Sequence, residues 1–432
     1  MWRNNGGALP RHNPWYRVNS MSPKFVLACP ECGGVVAGDH IVCERCGLPR
    51  VVRMMTDQIG TPQDVIKRPG DSLWKYFPLL PVENRDNIVS LHEGMTPVVE
   101  AKNLASRTGL TSVFLKNEIL NPTGSFKDRQ VSVGISKARE LGAGTVAVVS
   151  SGNVAAAAAA YAAHAGMECC VFVARHAPET KLVQVKVCGA KAYRVDSAYA
   201  SEIFSLVIAA CNKFGWYHLS TAGMYNPFNV EGAKTISYEL YEQFPDGLPE
   251  FVIVPVGGGG LLGAVWRGFT DLAKLGLISH LPKLVGVQAA GCAPFVRAIN
   301  HGESPSDTFG NPWTNPETIA GGIADDVVFD AHTAIPAVRS TGGTAVAVDD
   351  AQILAAERLL ALTEGVFCEP SSATTIAALE PLREMNVLTE TSTVCCLITG
   401  GGFKDVESAQ SLVEETRLIP AELSAIAHPV SS

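Results

Sequence analysis

Short runs of almost unbroken apolar residues, separated by helical stretches, constrain this chain more than any other feature. Residues 146–150, 170–173, 192–195, 251–256, 284–288 and 394–399 have the length of strands and carry few polar side chains for water. Helical patterns fill the gaps at 130–141, 154–165, 177–188, 201–214, 230–243 and 351–364. Strands buried on both faces with helices between them imply parallel sheet, so the expected fold class is α/β. With 432 residues the chain can form two lobes with their own cores and a small appended module; one core of that size is not expected. No internal repeat is visible. Gly, Asn and Pro concentrate at 221–228, where a boundary between lobes is expected, and at 301–316, read as a surface excursion.

Residues 121–130 read Asn-Pro-Thr-Gly-Ser-Phe-Lys-Asp-Arg-Gln and place one lysine, Lys127, inside a turn of small residues. A lysine that condenses with an aldehyde must reach it from a tight turn and spend part of its time as the neutral amine. Gly124 and Ser125 let the backbone come close to a ligand. For an arbitrary string of this kind, a solvated lysine at a helix start is the ordinary reading.

The decapeptide resembles the lysine motif of threonine synthases and their fold-type-II relatives that use pyridoxal 5'-phosphate (PLP). The resemblance spans roughly 70–405. It takes in Trp74-Lys-Tyr, Leu79-Leu-Pro81, His92-Glu-Gly-Met-Thr-Pro97, Phe114-Leu-Lys-Asn-Glu118, Asn226-Pro-Phe-Asn-Val-Glu-Gly232, Cys368-Glu-Pro-Ser-Ser372 and Phe403-Lys-Asp405. It implies two α/β lobes, with Lys127 carrying the cofactor as an internal aldimine. The lobes are expected at 70–225, with the lysine, and at 226–418, with a phosphate-binding loop.

That loop is read from Gly257, Gly258, Gly259 and Gly260, which follow an apolar strand and precede a helical pattern. Backbone N–H groups free of side chains can converge on a dianion there, and a helix N-terminus adds partial positive charge. The stretch also satisfies the Gly-x-Gly-x-x-Gly pattern of nicotinamide sites, but no acidic residue closes a second strand about twenty residues on. At Ser150-Ser-Gly-Asn153 a helix cap and a binding loop are equal readings of the residues themselves. The resemblance gives Asn153 the cofactor's ring oxygen, and Ser150, Ser151 and Gly152 the substrate carboxylate. It gives Thr399 the pyridine nitrogen, as a hydroxyl that does not force that nitrogen to be protonated.

The reaction implied is loss of a leaving group from Cβ or Cγ of an amino acid. O-phosphohomoserine and water would give threonine and phosphate; the alternative is β-elimination or β-replacement on serine, threonine, phosphoserine or a related amino acid, as in dehydratases or cysteate synthase. Two positions depart from the pattern. The glycine loop lacks the asparagines many threonine synthases have there, and Asn229 stands where many have an arginine. Both family residues help to hold the substrate's phosphate, which leaves Lys116 as the expected source of positive charge.

Cys29-Pro-Glu-Cys32 and Cys43-Glu-Arg-Cys46 are two Cys-x-x-Cys knuckles, each followed by glycine, with ten residues between the pairs. Two such turns complete a tetrahedral zinc site, so residues 25–52 are expected to form a zinc ribbon whose closed coordination is structural. The other eight cysteines are scattered among apolar residues and read as buried thiols. The opening residues, 1–24, lack the apolar segment of a secretory signal and read as a disordered leader. Hydrophobic residues make up 47% and charged ones 18%, a globular composition, and the net charge of −8 (34 basic, 42 acidic) disfavours nucleic acid as a partner. No apolar run reaches the ~20 residues of a membrane span. A cytoplasmic homodimer is expected. The competing class, an interaction protein built around the ribbon on a degenerate scaffold, is disfavoured because one chain keeps the lysine, the glycine loop, the Ser-Gly-Asn turn and Thr399.

Overall fold

The computed structural model describes residues 24–35, 41–56, 60–197 and 200–426, so the leader read at 1–24 lies, save for Lys24, outside the described residues. Two sheets dominate. The larger has the order β11-β10-β9-β12-β4-β3, built from β3 (Val98–Glu100), β4 (Ser112–Asn117), β9 (Phe251–Pro255), β10 (Lys283–Ala289), β11 (Thr344–Val348) and β12 (Thr393–Ile398). The smaller has the order β7-β6-β5-β8, from β5 (Thr145–Val149), β6 (Glu168–Ala174), β7 (Lys191–Val195) and β8 (Tyr217–His218). All pairings are parallel except β3 with β4.

The apolar runs form these strands because each sheet carries cores on both faces. Along β9, Val252 and Val254 enter one core while Phe251 and Ile253 enter another; Cys395 and Leu397 of β12 alternate with Val394, Cys396 and Ile398 in the same way. In the small sheet Val146 and Val148 face one core and Ala147 the other. Full burial of an aliphatic side chain of this size is worth about 1.5–3 kcal/mol, so a polar residue at any of these positions would be costly.

Two sequence expectations need correction. A single cut near residue 225 does not separate the sheets, because β3 and β4 join the large sheet, β4 lying directly beside β12 in parallel register from Ser112–Thr393 to Asn117–Ile398. The segment 221–228, where that boundary was expected, is itself packed: Met224, Tyr225, Asn226 and Phe228 are buried, and the Asn226 amide donates to the Tyr217 hydroxyl and the His218 carbonyl. β7 sits at a sheet edge with Lys191, Tyr193 and Arg194 exposed, so that run is not buried on both faces. The stretch 301–316 is largely exposed, as read.

A two-stranded antiparallel ribbon, β1 (Phe25–Ala28) with β2 (Val51–Met54), precedes the sheets. Its Phe25, Leu27, Val52 and Met54 share a core with Val131, Ile135, Tyr161 and Phe228, and the Phe25 and Phe228 rings meet edge to face at 5.9 Å. The ribbon is thus docked on the body rather than tethered to it. No described helix is long and apolar enough to cross a membrane.

Candidate active site

The strands β4, β12 and β9 lie side by side, and the loops leaving their carboxyl ends are the lysine turn, the Thr399 turn and the glycine loop. Ligands of open parallel sheets bind at such ends. Together with the turn after β5 they line a cleft of about 790 Å³. Lys127, Asn153, Ser150, Ser151, Gly152, the four glycines Gly257, Gly258, Gly259 and Gly260, and Thr399 all line it.

Lys127 opens the helix Lys127–Glu140, which is buried on nearly every side from Asp128 to Ala138. The turn before it is tied at both ends. Asp128 accepts from the Thr123 N–H at 2.7 Å and the Thr123 hydroxyl at 2.6 Å, while the Phe126 N–H donates to the Thr399 carbonyl at 2.9 Å and the Gly401 N–H to the Gly124 carbonyl at 3.0 Å. The lysine amine lies 3.2 Å from Gln130 Oε1, 3.4 Å from Thr221 Oγ1 and 4.5 Å from the Phe126 ring centroid. Burial lowers it to about 8, against the opposing pull of Asp325, Asp330 and Glu369. A solvated lysine would show neither the partners nor the shift.

The glycine loop turns from β9 into the helix Gly260–Lys274. Gly259, at φ 93°, takes a left-handed conformation that a side chain would strain, and it leaves the first N–H groups of the helix without a capping side chain. A Cβ on Gly257 would stand 2.6 Å from Asp325 Oδ2, and one on Gly260 would stand 2.8 Å from Asp330 Oδ2. The loop is a cradle that any side chain would fill, which fits a phosphate held by backbone donors. The strand that follows the loop's helix, β10, closes on Gln288 and Ala289, and Gln288 Oε1 accepts the Phe295 N–H at 2.8 Å; no ribose-binding acid stands there.

The turn after β5 places Asn153 at the first position of the helix Asn153–Ala165, and Gly152, not a side chain, is the cap residue. The cap reading therefore fails. The Asn153 amide donates to both oxygens of Glu369 at 3.0 and 3.1 Å, and the buried Glu369 carboxyl is pushed up by desolvation. Thr399 Oγ1 lies 2.9 Å from Ser372 Oγ, which also accepts the Thr399 and Gly400 N–H groups. Glu369 and Ser372, with Asp325, Asp330 and Thr221, are site residues that local motif reading passes over. The Cys368-Glu-Pro-Ser-Ser372 string contains the first two, but only the fold shows what they touch.

Two expected residues do not line the cleft. Lys116 has no exposed side-chain surface; its amine donates to the Thr96 carbonyl and Glu239 at 2.6 Å and to Gln243 at 2.9 Å. Arg129 of the lysine motif shares Glu239 and also pairs with Glu118 at 2.6 Å, so Lys116 belongs to a buried ion cluster that holds the helix behind Lys127. Asn229 is fully buried and donates to the Ser220 carbonyl at 2.8 Å. The described cations lining the cleft besides Lys127 are Lys181, paired with Asp405 at 3.1 Å, and Lys404, which donates to Gln184 at 2.9 Å. No arginine is among the described residues lining it.

The four knuckle cysteines converge: the Sγ atoms of Cys29, Cys32, Cys43 and Cys46 all lie within 4.8 Å of one another, and Cys32 to Cys43 is 3.7 Å. Zinc–sulfur bonds of about 2.3 Å in a tetrahedron set sulfurs about 3.8 Å apart, so the donors fit zinc. The knuckles repeat one geometry. Gly33 and Gly47 are left-handed at φ 66° and 69°, and each donates to the carbonyl of its knuckle's first cysteine, at 3.0 and 2.8 Å. The Gly34 N–H draws the Cys32 thiol down to about 6, and the hydrogen bond with Cys32 pushes Cys46 up to about 12; sulfurs this close share protons unless a cation stands among them.

Residues 89–400 match the family model described as pyridoxal-phosphate dependent enzyme. The chain is 37% identical over 406 residues to the threonine synthase of Methanosarcina acetivorans, covering 93% of this chain and 98% of that one. It is 36% identical over 408 residues to the threonine synthase of Methanocaldococcus jannaschii, covering 92% and 97%. Among solved structures, maize serine racemase superposes with a TM-score of 0.61 at 25% identity, over 73% of this chain and 91% of the racemase.

Proposed function

This chain belongs to the pyridoxal-phosphate dependent enzyme family, in its threonine synthase branch, and we propose that it converts O-phosphohomoserine and water into threonine and phosphate. The observation that carries this is the 37% identity to a threonine synthase over nearly the whole of both chains. PLP, when bound, supplies an electron sink for a carbanion at the substrate's Cα.

The protein's own groups would do the rest. Lys127, its amine lowered by burial to about 8, would hold the cofactor at rest, then remove protons at Cα and Cβ and return protons at Cγ, once phosphate has left it, and at Cα. The N–H groups of Gly257, Gly258, Gly259 and Gly260 would receive the cofactor phosphate at the helix start. Asn153, its amide fixed by Glu369, would face the ring oxygen, and Thr399, held by Ser372, would face the ring nitrogen with a neutral hydroxyl. Ser150, Ser151 and Gly152 would take the substrate carboxylate. With Lys116 and Asn229 buried elsewhere, Lys181 and Lys404 are, besides Lys127, the described cations lining the cleft that could meet the leaving phosphate.

A second reading, β-elimination or β-replacement on serine, threonine or phosphoserine, is favoured by one observation, the lack of an arginine among the described residues lining the cleft. Steady-state kinetics on O-phosphohomoserine, O-phosphoserine, serine and threonine, with products identified by mass spectrometry, separate the two. The highest kcat/KM for O-phosphohomoserine with threonine as product is expected; turnover confined to β-substituted substrates would replace the first reading by the second. A structural zinc on the four cysteines, a homodimer and a cytoplasmic setting complete the proposal. Converging thiols support the zinc, apolar Val413, Leu418 and Leu423 exposed along the C-terminal tail support a partner surface, and twelve unpaired cysteines support a reducing compartment.

A further inference from the structure

Gln130 stands three residues after Lys127, so the two side chains share a face of the helix Lys127–Glu140. It is fully buried and does not line the cleft, whereas Thr221 does. The lysine amine therefore has one partner in the interior, Gln130 Oε1 at 3.2 Å, and one on the cleft wall, Thr221 Oγ1 at 3.4 Å. Both are uncharged.

Three carboxyl groups act on the amine through space, Asp325, Asp330 and Glu369, yet none among the described residues pairs with it. Asp325 stands against the glycine loop, Asp330 accepts the Gly223 N–H at 3.0 Å, and Glu369 holds the Asn153 amide. The ionisable groups of the helix itself and of the elements packed on it are engaged elsewhere. Asp128 is bonded to Thr123, Arg129 to Glu118 and Glu239, Lys137 to Glu140, and Tyr161 to Glu93 at 2.8 Å. On the turn Asn229–Lys234, Glu231 pairs with Lys234 at 2.8 Å, and at the far end of the helix Arg85 lies over the Phe77 ring. The cleft cations Lys181 and Lys404 are held by Asp405 and Gln184.

The amide oxygen of Gln130 can accept an N–H from the ammonium and also from the free amine, and in the second state that bond leaves the nitrogen lone pair free to face the cleft. A carboxylate in its place would favour the charged form. The other end of the amide has a cost: Nε2 is buried and has no protein partner. An apolar side chain of the same length would avoid leaving a donor unsatisfied, so what the amide adds is the acceptor for the lysine.

We propose that Gln130 is a positioning residue for the proton transfers of Lys127, holding its amine toward the cleft in both protonation states without the bias of a charge. The inference rests on the reading that Lys127 serves PLP chemistry.

The test is the titration of Lys127 in full-length apoprotein, read by amine labelling across pH 6–12 with peptide mapping, with thermal midpoint and PLP uptake measured on the same samples. The wild type should titrate near 8. Gln130→Glu should raise that midpoint by about one to three pH units, as an opposite charge within contact does. Gln130→Met should lower it by about half a unit to one unit, because the charged amine loses the stronger bond, while thermal stability holds or rises. Should Gln130→Glu fail to fold, Gln130→Met carries the test through the sign of its shift. A midpoint unmoved in either variant, in protein that still takes up PLP, overturns the inference and leaves the cofactor site intact; loss of stability alone would mark Gln130 as merely structural. A wild-type apoprotein that takes up no PLP removes the site reading and the inference together.

Discussion

At the scale of residues, the amine of Lys127 is governed by where the helix begins. Desolvation in the cleft favours its neutral form, and three nearby carboxyl groups limit the drop, leaving it near 8. Only the neutral amine condenses with an aldehyde, so the rate of PLP capture by apoprotein should climb about tenfold per pH unit below 8 and level off above it. Stopped-flow absorbance across pH 6–10 checks this, and borohydride reduction followed by peptide mapping should place the pyridoxyl group on Lys127 and on no other lysine; Lys127→Ala should abolish the label. Lys116 offers the contrasting case. Removing one member of a buried ion cluster strands the others, so Lys116→Met should cost about 3–5 kcal/mol in urea unfolding. A stable variant with a raised KM for O-phosphohomoserine would restore the substrate role that the sequence suggested. Lys127, Asn153 and Thr399 were legible because each sits in a local string at the end of an element. Glu369, Ser372 and Asp325 were not, since their meaning is a partner from a distant part of the chain. Lys116 and Asn229 were misread for the same reason: spacing does not reveal which side of a strand or turn faces the cleft.

Among elements, the apolar runs identified β5, β6, β9, β10 and β12 because cores on both faces leave no room for polar alternation. The first four residues of β4, Ser-Val-Phe-Leu, alternate only weakly and continue into Lys116, whose burial depends on Glu239, and Asn117, so no strand was legible there. β8 is two residues long, paired with β5 and held besides by the Asn226 amide. The ribbon was legible from its cysteines, but its docking was not, for the contact of Phe25 with Phe228 spans two hundred residues. From that docking comes a prediction about the element. Metal analysis should find one zinc in the wild type and none in Cys29→Ser with Cys32→Ser, whose thermal midpoint should fall and whose 24–56 segment should become open to protease, because Phe25 and Leu27 share their core with the body and open knuckles would loosen that hold. Unchanged zinc content in that variant would refute the ligand set.

The whole molecule divides its chemistry between two sheets. The small one supplies Asn153 and the serines, the large one supplies the glycine loop and Thr399, and the helix that starts at Lys127 packs on the helix Asn153–Ala165 and shares the core of the small sheet. Near the cleft mouth Val183 and Val187, from the helix Glu179–Val187, and Phe403, from the turn after β12, are exposed although apolar. Substrate that draws the sheets together should bury them. Protection of residues 179–187 and 402–404 from hydrogen exchange on adding PLP and O-phosphohomoserine, with none on adding inorganic phosphate alone, is the expected result; unchanged exchange would show a cleft that works open.

The position of β12 carries a further consequence, one that concerns time. It is the last of the described strands, yet it is inserted in the middle of the large sheet, between β9 and β4, and the lysine turn is stitched to the residues that follow it. A chain emerging from the ribosome holds every strand of the small sheet once residue 218 is made, but until residues 393–401 follow, β4 has no parallel neighbour and the Gly124 and Phe126 ends of the lysine turn lack their partners. Completing the cleft therefore waits on β12, whatever order the other strands of the large sheet arrive in.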